Sequence, residues 1–245
     1  MACRSQDDLY LIEVVNEDFV FTEKVVEVFD DMLDRSIPFY EEVIQASTSL
    51  LAGLLKDGDT VYDLGCATGT TLLEFVRSLP GKDLHFFGVD NSQPMLDKAQ
   101  LKAEVYSKKE SITFINQDIT TLKTKNSGAF ILNYTLQFIR PMLRQNFIGQ
   151  IHENLRPGGV LILSEKTINH DRQLNRKYID IYHKFKRDKG YSELEIAKKR
   201  EALENVLIPF SIDENKTIMK KAGFRRVETF FQWFNFTSFI AVKES

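Results

Sequence analysis

The chain has 245 residues, 43% of them hydrophobic, and a formal net charge of −3. That supports a core for one large or two small α/β domains, and the acidic balance gives no global field toward nucleic acid or an anionic membrane. Cys3 and Cys66 cannot make a disulfide framework, no Cys/His group has zinc-ligand spacing, and no apolar run reaches signal-peptide or membrane length; a cytoplasmic setting without metal or membrane is expected.

Residues 23–35 and 39–55 read as two amphipathic helices, with Pro38 suited to the start of the second. Strands are predicted at 60–64, 84–90, 112–116, 129–133 and 160–165, with helices at 69–79, 92–107 and 141–155 between them. Asn91 or Ser92 is placed to cap the helix at 92–107, with Pro94 in its first turn. Arg156-Pro157-Gly158-Gly159 ends the helix before the strand at 160–165. The stretch 170–205 is highly charged and helical, 213–222 is a further helix, and strands at 225–232 and 236–243 flank Trp233-Phe234-Asn235 as an antiparallel hairpin. Alternating βα units ending in an antiparallel pair predict one doubly wound, mostly parallel sheet, with the N-terminal helices and 170–205 added as a lid or subunit interface.

In such a sheet, ligands bind beyond the carboxyl ends of the strands. After the first strand, Gly65, Cys66 and Ala67 open a helix, where a glycine turn permits close approach and amide N–H groups stand unpaired. After the second come Asp90, an acceptor for ribose hydroxyls, and Asn91. Asp118 after the third is suited to an adenine amino group, with Ile119 over the ring; Asn133 after the fourth lies by the amino-acid end or the sulfonium. The dinucleotide fingerprint fails at Ala67 and Thr70, and no Gly-Lys-Ser/Thr grips a phosphate. An adenosine cofactor without phosphates remains, and S-adenosylmethionine fits best.

Each residue also has a plainer reading. Asp118 precedes a threonine-rich stretch and suits an ordinary turn, and Asn133 suits a loop cap. Asp63, inside an apolar strand, needs backbone amides or the cofactor's ammonium as partner. Cys66 reads as a packing residue, and the histidines at 85, 152, 170 and 183 as structural or solvated.

Several blocks are narrower than the glycine turn: Arg35-Ser36-Ile37-Pro38, Leu132-Asn133-Tyr134-Thr135-Leu136-Gln137-Phe138, Leu163-Ser164-Glu165-Lys166, Phe185-Lys186-Arg187 and Gly190-Tyr191-Ser192-Glu193-Leu194-Glu195-Ile196. Through them the chain resembles the carboxy-S-adenosyl-L-methionine synthase family, related to class I methyltransferases, from about Val20 to Lys243. The resemblance implies a Rossmann-like fold with a seven-stranded, mostly parallel sheet in one domain spanning residues 1–245. Residues 1–18 match poorly, and no functional residue is placed there.

The activity implied is synthesis of carboxy-S-adenosylmethionine, with phenylpyruvate and water, from S-adenosylmethionine and prephenate. A partner tRNA enzyme then uses the product to carboxymethylate the wobble uridine. The resemblance places Tyr40, Gly65, Cys66, Ala67, Asp90, Asn91, Asp118, Ile119 and Asn133 on cofactor positions. It places Arg200 on the position that contacts the product's carboxylate from the neighbouring subunit of a homodimer. Read alone, Arg200 lies in the charged run Lys198-Lys199-Arg200-Glu201, with Glu204 one turn on, as on a solvated helix face. No catalytic base is assigned, and Arg35 is a second, unassigned anion-binding candidate. Small-molecule methyl transfer and non-catalytic cofactor binding stay open as alternatives. Direct contact with tRNA is not expected, although Lys184–Lys189 forms a local basic run.

Overall fold

The structure is a computed structural model that describes Asp7, residues 23–79 and residues 81–244. The poorly matching segment 1–18 lies outside the described residues, Asp7 excepted. Two helices come first, α1 (Glu23–Ser36) and α2 (Tyr40–Leu54). The alternation follows: β1 (Thr60–Leu64), α3 (Thr70–Ser78), β2 (His85–Asp90), α4 (Gln93–Val105), β3 (Ile112–Asn116), β4 (Ser127–Asn133), α5 (Pro141–Asn154) and β5 (Leu155–Ile168). The remainder is α6 (Arg172–Asp188), α7 (Glu193–Leu203), β6 (Phe210–Ser211), α8 (Ile212–Lys221), β7 (Arg226–Trp233) and β8 (Phe236–Val242).

The sheet runs β3-β2-β1-β4-β5-β8-β7, parallel as far as β5 and antiparallel through β8 and β7. Strand order reverses beside β1, where β2 pairs on one side and β4 on the other. That crossover opens the crevice at the strand ends. Beyond the seven predicted strands, the two-residue β6 pairs with the far end of β5. Alternation along β4 and β5 supplies both layers. Phe130, Leu132, Leu161 and Leu163 pack with Phe147 and Ile151 of α5, while Ala129, Ile131, Val160 and Ile162 pack with Leu51 of α2 and Phe75 of α3. Both faces are therefore covered, as a central parallel strand requires. Among the described residues no helix is long and apolar enough to cross a membrane.

Two expectations are corrected, for β5 and for the C-terminal hairpin, and the helical reading of 170–205 is resolved in more detail. β5 begins at Leu155 directly after α5, because Arg156-Pro157-Gly158-Gly159 forms an irregularity in its pairing with β4 rather than a separate turn. Gly159 is needed there, since a Cβ would come within 2.9 Å of the Arg156 carbonyl oxygen. The charged stretch 170–205 is two helices, α6 and α7, separated at Gly190, with a Ser192/Glu195 capping box opening α7. In the C-terminal hairpin Trp233 pairs with Phe236, so only Phe234 and Asn235 form the turn, with Phe234 at φ 46°.

Candidate active site

A cavity of about 720 Å³ lies beyond the carboxyl ends of β1, β2 and β4, in the upper part of the usual range for small-molecule sites. Gly65, Cys66, Ala67, Asp90 and Asn91 line it where β1 and β2 end. Asp118, Ile119, Asn133, Tyr40 and Arg200 line it too, so all ten residues singled out from sequence meet at one cavity.

The glycine turn works differently from expectation. Gly65 and Cys66 donate their N–H groups to the Val89 carbonyl (2.8 and 3.2 Å), and Ala67 donates to Asp90 Oδ2 at 2.9 Å. These amides serve the turn rather than a ligand, so this segment offers close backbone approach. Gly65 stands at φ 79°, and a Cβ there would meet Thr135 Cγ2 at 2.5 Å. Asp90 is a brace as well as a wall: Oδ1 accepts from the Ser92 N–H at 2.9 Å, opening α4. Each Asp90 oxygen keeps acceptor capacity for a diol. Burial raises its carboxyl, against the lowering effect of the backbone bonds.

Asp118 meets its plainer reading too, since Oδ1 accepts from Thr120 N–H (2.8 Å) and Oγ1 (2.7 Å). Both bonds fall on Oδ1, leaving Oδ2 outside the turn. Asn133 donates from Nδ2 to Thr71 Oγ1 at 3.2 Å, while its buried Oδ1 has no partner among the described residues. An acceptor left orphaned beside a cavity invites a donor from a ligand. Tyr40 opens α2 beside the same Thr71, its hydroxyl pushed up by burial.

Asp63 accepts no hydrogen bond from the described residues, so backbone amides are not its partners. It is 2% exposed, and burial, followed by the charge of Asp90, pushes its carboxyl up to about 7. Asp30 of α1 clamps the start of α3 from outside. It accepts from Thr68 Oγ1 (2.6 Å) and pairs with Lys102 (3.1 Å), which holds its carboxyl low although burial opposes this.

The opposite wall is basic, and sequence reading gave it no role. Lys166 at the end of β5, Tyr182, His183 and Lys186 of α6, and Lys199 of α7 all line the cavity. Burial pushes the Lys166 and Lys186 ammonium groups down, Lys186 strongly, with Lys199 and Lys166 adding repulsion. Lys199 is lowered to about 8 by burial, opposed by Asp7. It bonds Ser36 Oγ (3.0 Å), Tyr191 Oη (3.2 Å) and Asp7 Oδ2 (3.3 Å). His183 is held low by burial and by Lys186, Lys166 and Arg200. Arg200 is exposed at the rim, on its own chain's cavity.

Other candidates fall elsewhere. Arg35 is spent on structure, donating to the Asp7 carbonyl (2.8 Å), the Lys189 carbonyl (3.0 Å) and Asp31 (3.3 Å) against the Tyr191 ring. The basic run 184–189 does not form one patch, because Lys186 turns inward and Lys184 pairs with Asp188 at 2.6 Å. His152 packs on Phe224 and His170 meets Ser211 Oγ at 3.1 Å, whereas His183, read as structural or solvated, lines the cavity. Burial raises the Cys66 thiol well above its ordinary value, consistent with packing rather than reactivity. Among the described residues no group of three or more His, Cys, Asp or Glu side chains is placed to hold a metal.

Comparison with known proteins agrees with this geometry. The family model of a methyltransferase domain matches residues 61–159, from β1 into β5. A carboxy-S-adenosyl-L-methionine synthase of Desulfotalea psychrophila is 63% identical over 227 residues, covering 93% of each chain. A protein of the same name from Wolinella succinogenes is 46% identical over 239 residues, covering 97% of this chain and 98% of its own. Among solved structures, an O-methyltransferase family protein from Burkholderia thailandensis superposes with a TM-score of 0.68 at 17% identity, over 89% of this chain and 60% of that one. Human N-acetylserotonin methyltransferase, in complex with SAM, gives 0.63 at 14% identity, over 91% and 57%. These two share the fold.

Proposed function

This chain belongs to the carboxy-S-adenosyl-L-methionine synthase family, and on that premise we propose that it makes carboxy-S-adenosyl-L-methionine from S-adenosylmethionine and prephenate within the one cavity. As an enzyme of that class it uses S-adenosylmethionine, which supplies the acidic sulfonium methyl on which the carboxyl group is built. Prephenate loses carbon dioxide and hydroxide to become phenylpyruvate. The hydroxide takes one methyl proton and becomes water, and the carbon dioxide ends on the methyl carbon.

The observation that carries the reading is the mixed charge of the one cavity, lined by the acidic Asp63, Asp90 and Asp118 and by the basic Lys166, Lys186, Lys199 and Arg200. The strand-end residues fit an adenosine cofactor: Asn133 Oδ1 is an orphaned acceptor and Asp63 an unbonded carboxyl. In this reading Asp90 accepts from the ribose and Asp118 from the adenine amino group, under Ile119. Gly65, Cys66 and Ala67 offer backbone approach, Asn91 and Tyr40 enclose the cofactor, and Asp63 receives its ammonium. Arg200 at the rim supplies a cation for the new carboxylate, reaching across to the neighbouring subunit in the homodimer that the family resemblance implies. α6 and α7 cover the opening and keep water from the carbon dioxide, in keeping with a lid over one domain spanning 1–245.

The wider setting belongs to the same proposal. A homodimer joined through α6 and α7 in the cytoplasm would pass its product to a tRNA carboxymethyltransferase, with no tRNA contact of its own. Incubation with S-adenosylmethionine and prephenate, followed by mass spectrometry, tests the central step. We expect a product heavier than S-adenosylmethionine by one carbon dioxide, with phenylpyruvate in equal amount. S-adenosylhomocysteine in its place would make the chain a methyltransferase, and no prephenate-dependent change would end the proposal.

A further inference from the structure

Two cations meet on the cavity wall, Lys186 of α6, which is 6% exposed, and the half-buried Lys166 of β5, and neither has an acidic hydrogen-bond partner among the described residues. Lys166 Nζ lies 5.0 Å from the centroid of the Tyr182 ring, and Lys186 Nζ lies 4.8 Å from the same centroid. Tyr182 is fixed by donating its hydroxyl to the Ser36 carbonyl at 2.9 Å. Neither ammonium has a hydrogen bond or ion pair among the described residues. The magnitudes do not balance as the site stands. Contact with aromatic faces, Tyr182 for both and Tyr191 at 5.9 Å for Lys186, offsets only part of the cost of removing an ion from water. Two such cations near one ring also repel each other, which Lys186 registers directly.

The other charged groups around them do not close the gap. Asp7 is the one acidic group whose charge favours the Lys186 ammonium, but it makes no hydrogen bond to it: Oδ2 goes to Lys199 and the Tyr191 hydroxyl and Oδ1 has no partner among the described residues, while the remaining neighbours, Lys199, Arg200 and His183, are basic. Glu165, next to Lys166, spends both oxygens on the N–H groups of Leu136 and Gln137, each at 2.9 Å. The acidic residues Asp63, Asp90 and Asp118 stand at the strand ends, where the proposed function puts the cationic cofactor. What the lysine wall lacks is negative charge from outside the chain.

We propose that Lys166 and Lys186, brought to the one Tyr182 ring by β5 and α6, form the subsite that holds the carboxylates of the second substrate, a small dicarboxylic acid. Charge-assisted hydrogen bonds to two carboxylates would supply the partners both ammonium groups lack. The pair thereby separates the ends of the cavity by charge and brings the anion against the cofactor's sulfonium. This inference rests on the proposed function for the identity of the dianion, and on the geometry alone for its charge.

The test uses Lys166→Met and Lys186→Met, which keep the apolar stem and remove the charge. Binding of S-adenosylmethionine by calorimetry reports that each variant is folded, and we expect it to stay within about threefold of the parent. The KM for prephenate should rise about tenfold or more in each variant, the size of one lost charge-assisted bond. A merely structural role would weaken both ligands together, and an unchanged prephenate KM in a folded variant would overturn the subsite. A second measurement needs no variant. Malonate, a small dicarboxylate, should inhibit the parent competitively against prephenate and not against S-adenosylmethionine; failure to compete with prephenate would overturn the subsite as well. The two readings fail separately. Turnover of prephenate without lysine dependence removes the subsite and keeps the function, whereas lysine-dependent binding of prephenate without turnover removes the function and keeps the subsite.

Discussion

Asp63 sits inside β1 between the buried Val61 and Leu64, and its carboxyl is raised to about 7 by burial and by Asp90. The ordinary value for an aspartate in an unfolded chain is about 3.9. A raised folded value means that the folded chain holds this proton more tightly than the unfolded one. Its contribution to stability is therefore best at low pH and is lost as pH rises from about 4 to about 7. A cationic ligand acts in the opposite sense, because it favours the ionised carboxylate. We expect the affinity of the parent for S-adenosylmethionine to rise from about pH 6 to about pH 8 relative to an Asp63→Asn variant, a comparison that cancels the ligand's own titration. The variant should also be the more heat-stable of the two without ligand at pH 8. Calorimetric titration checks the first and thermal unfolding the second; parallel affinity curves for parent and variant would remove Asp63 from the cofactor's side.

Elements show why some of the site was legible and some was not. Strand ends could be read because apolar runs stop abruptly at Gly65, Asp90 and Asn133, and a sheet of this kind places such ends together. β5 was read too short because Pro157 and the two glycines after it look like a turn, whereas they are accommodated as an irregularity beside β4. The basic wall could not be read, because it depends on which turn of α6 faces inward. Lys184 and Lys189 are exposed, and Lys186 between them is 6% exposed. Asp7 escaped because its partners lie in α1 and α7, up to 192 positions away. Glu165 ties two elements, since its buried carboxylate caps the 3-10 turn Leu136–Phe138 that follows β4. Glu165→Ala leaves two buried N–H groups unpaired, and we expect a loss of about 2–5 kcal/mol in denaturant unfolding followed by circular dichroism. A loss below about 1 kcal/mol would mean that this turn is held by other contacts.

At the scale of the whole molecule, the sheet's crossover beside β1 and the two helices added after β5 make one chamber with an acidic floor and a basic wall. The methyltransferase-like core accounts for the floor. The wall comes from β5, α6 and α7, whose helices follow the matched region of that core. Methyl transfer needs only the first; moving a carboxyl group from one bound molecule to another needs both, together with exclusion of water long enough for capture. The most direct measurement of that claim follows the carbon atom itself. Prephenate labelled with carbon-13 in its ring carboxyl group is turned over with unlabelled S-adenosylmethionine in a buffer rich in unlabelled bicarbonate, and the product is weighed by mass spectrometry. Capture within the chamber predicts a product carrying the label almost completely, at any bicarbonate concentration. Label falling as bicarbonate rises, or an unlabelled carboxylated product, would contradict it.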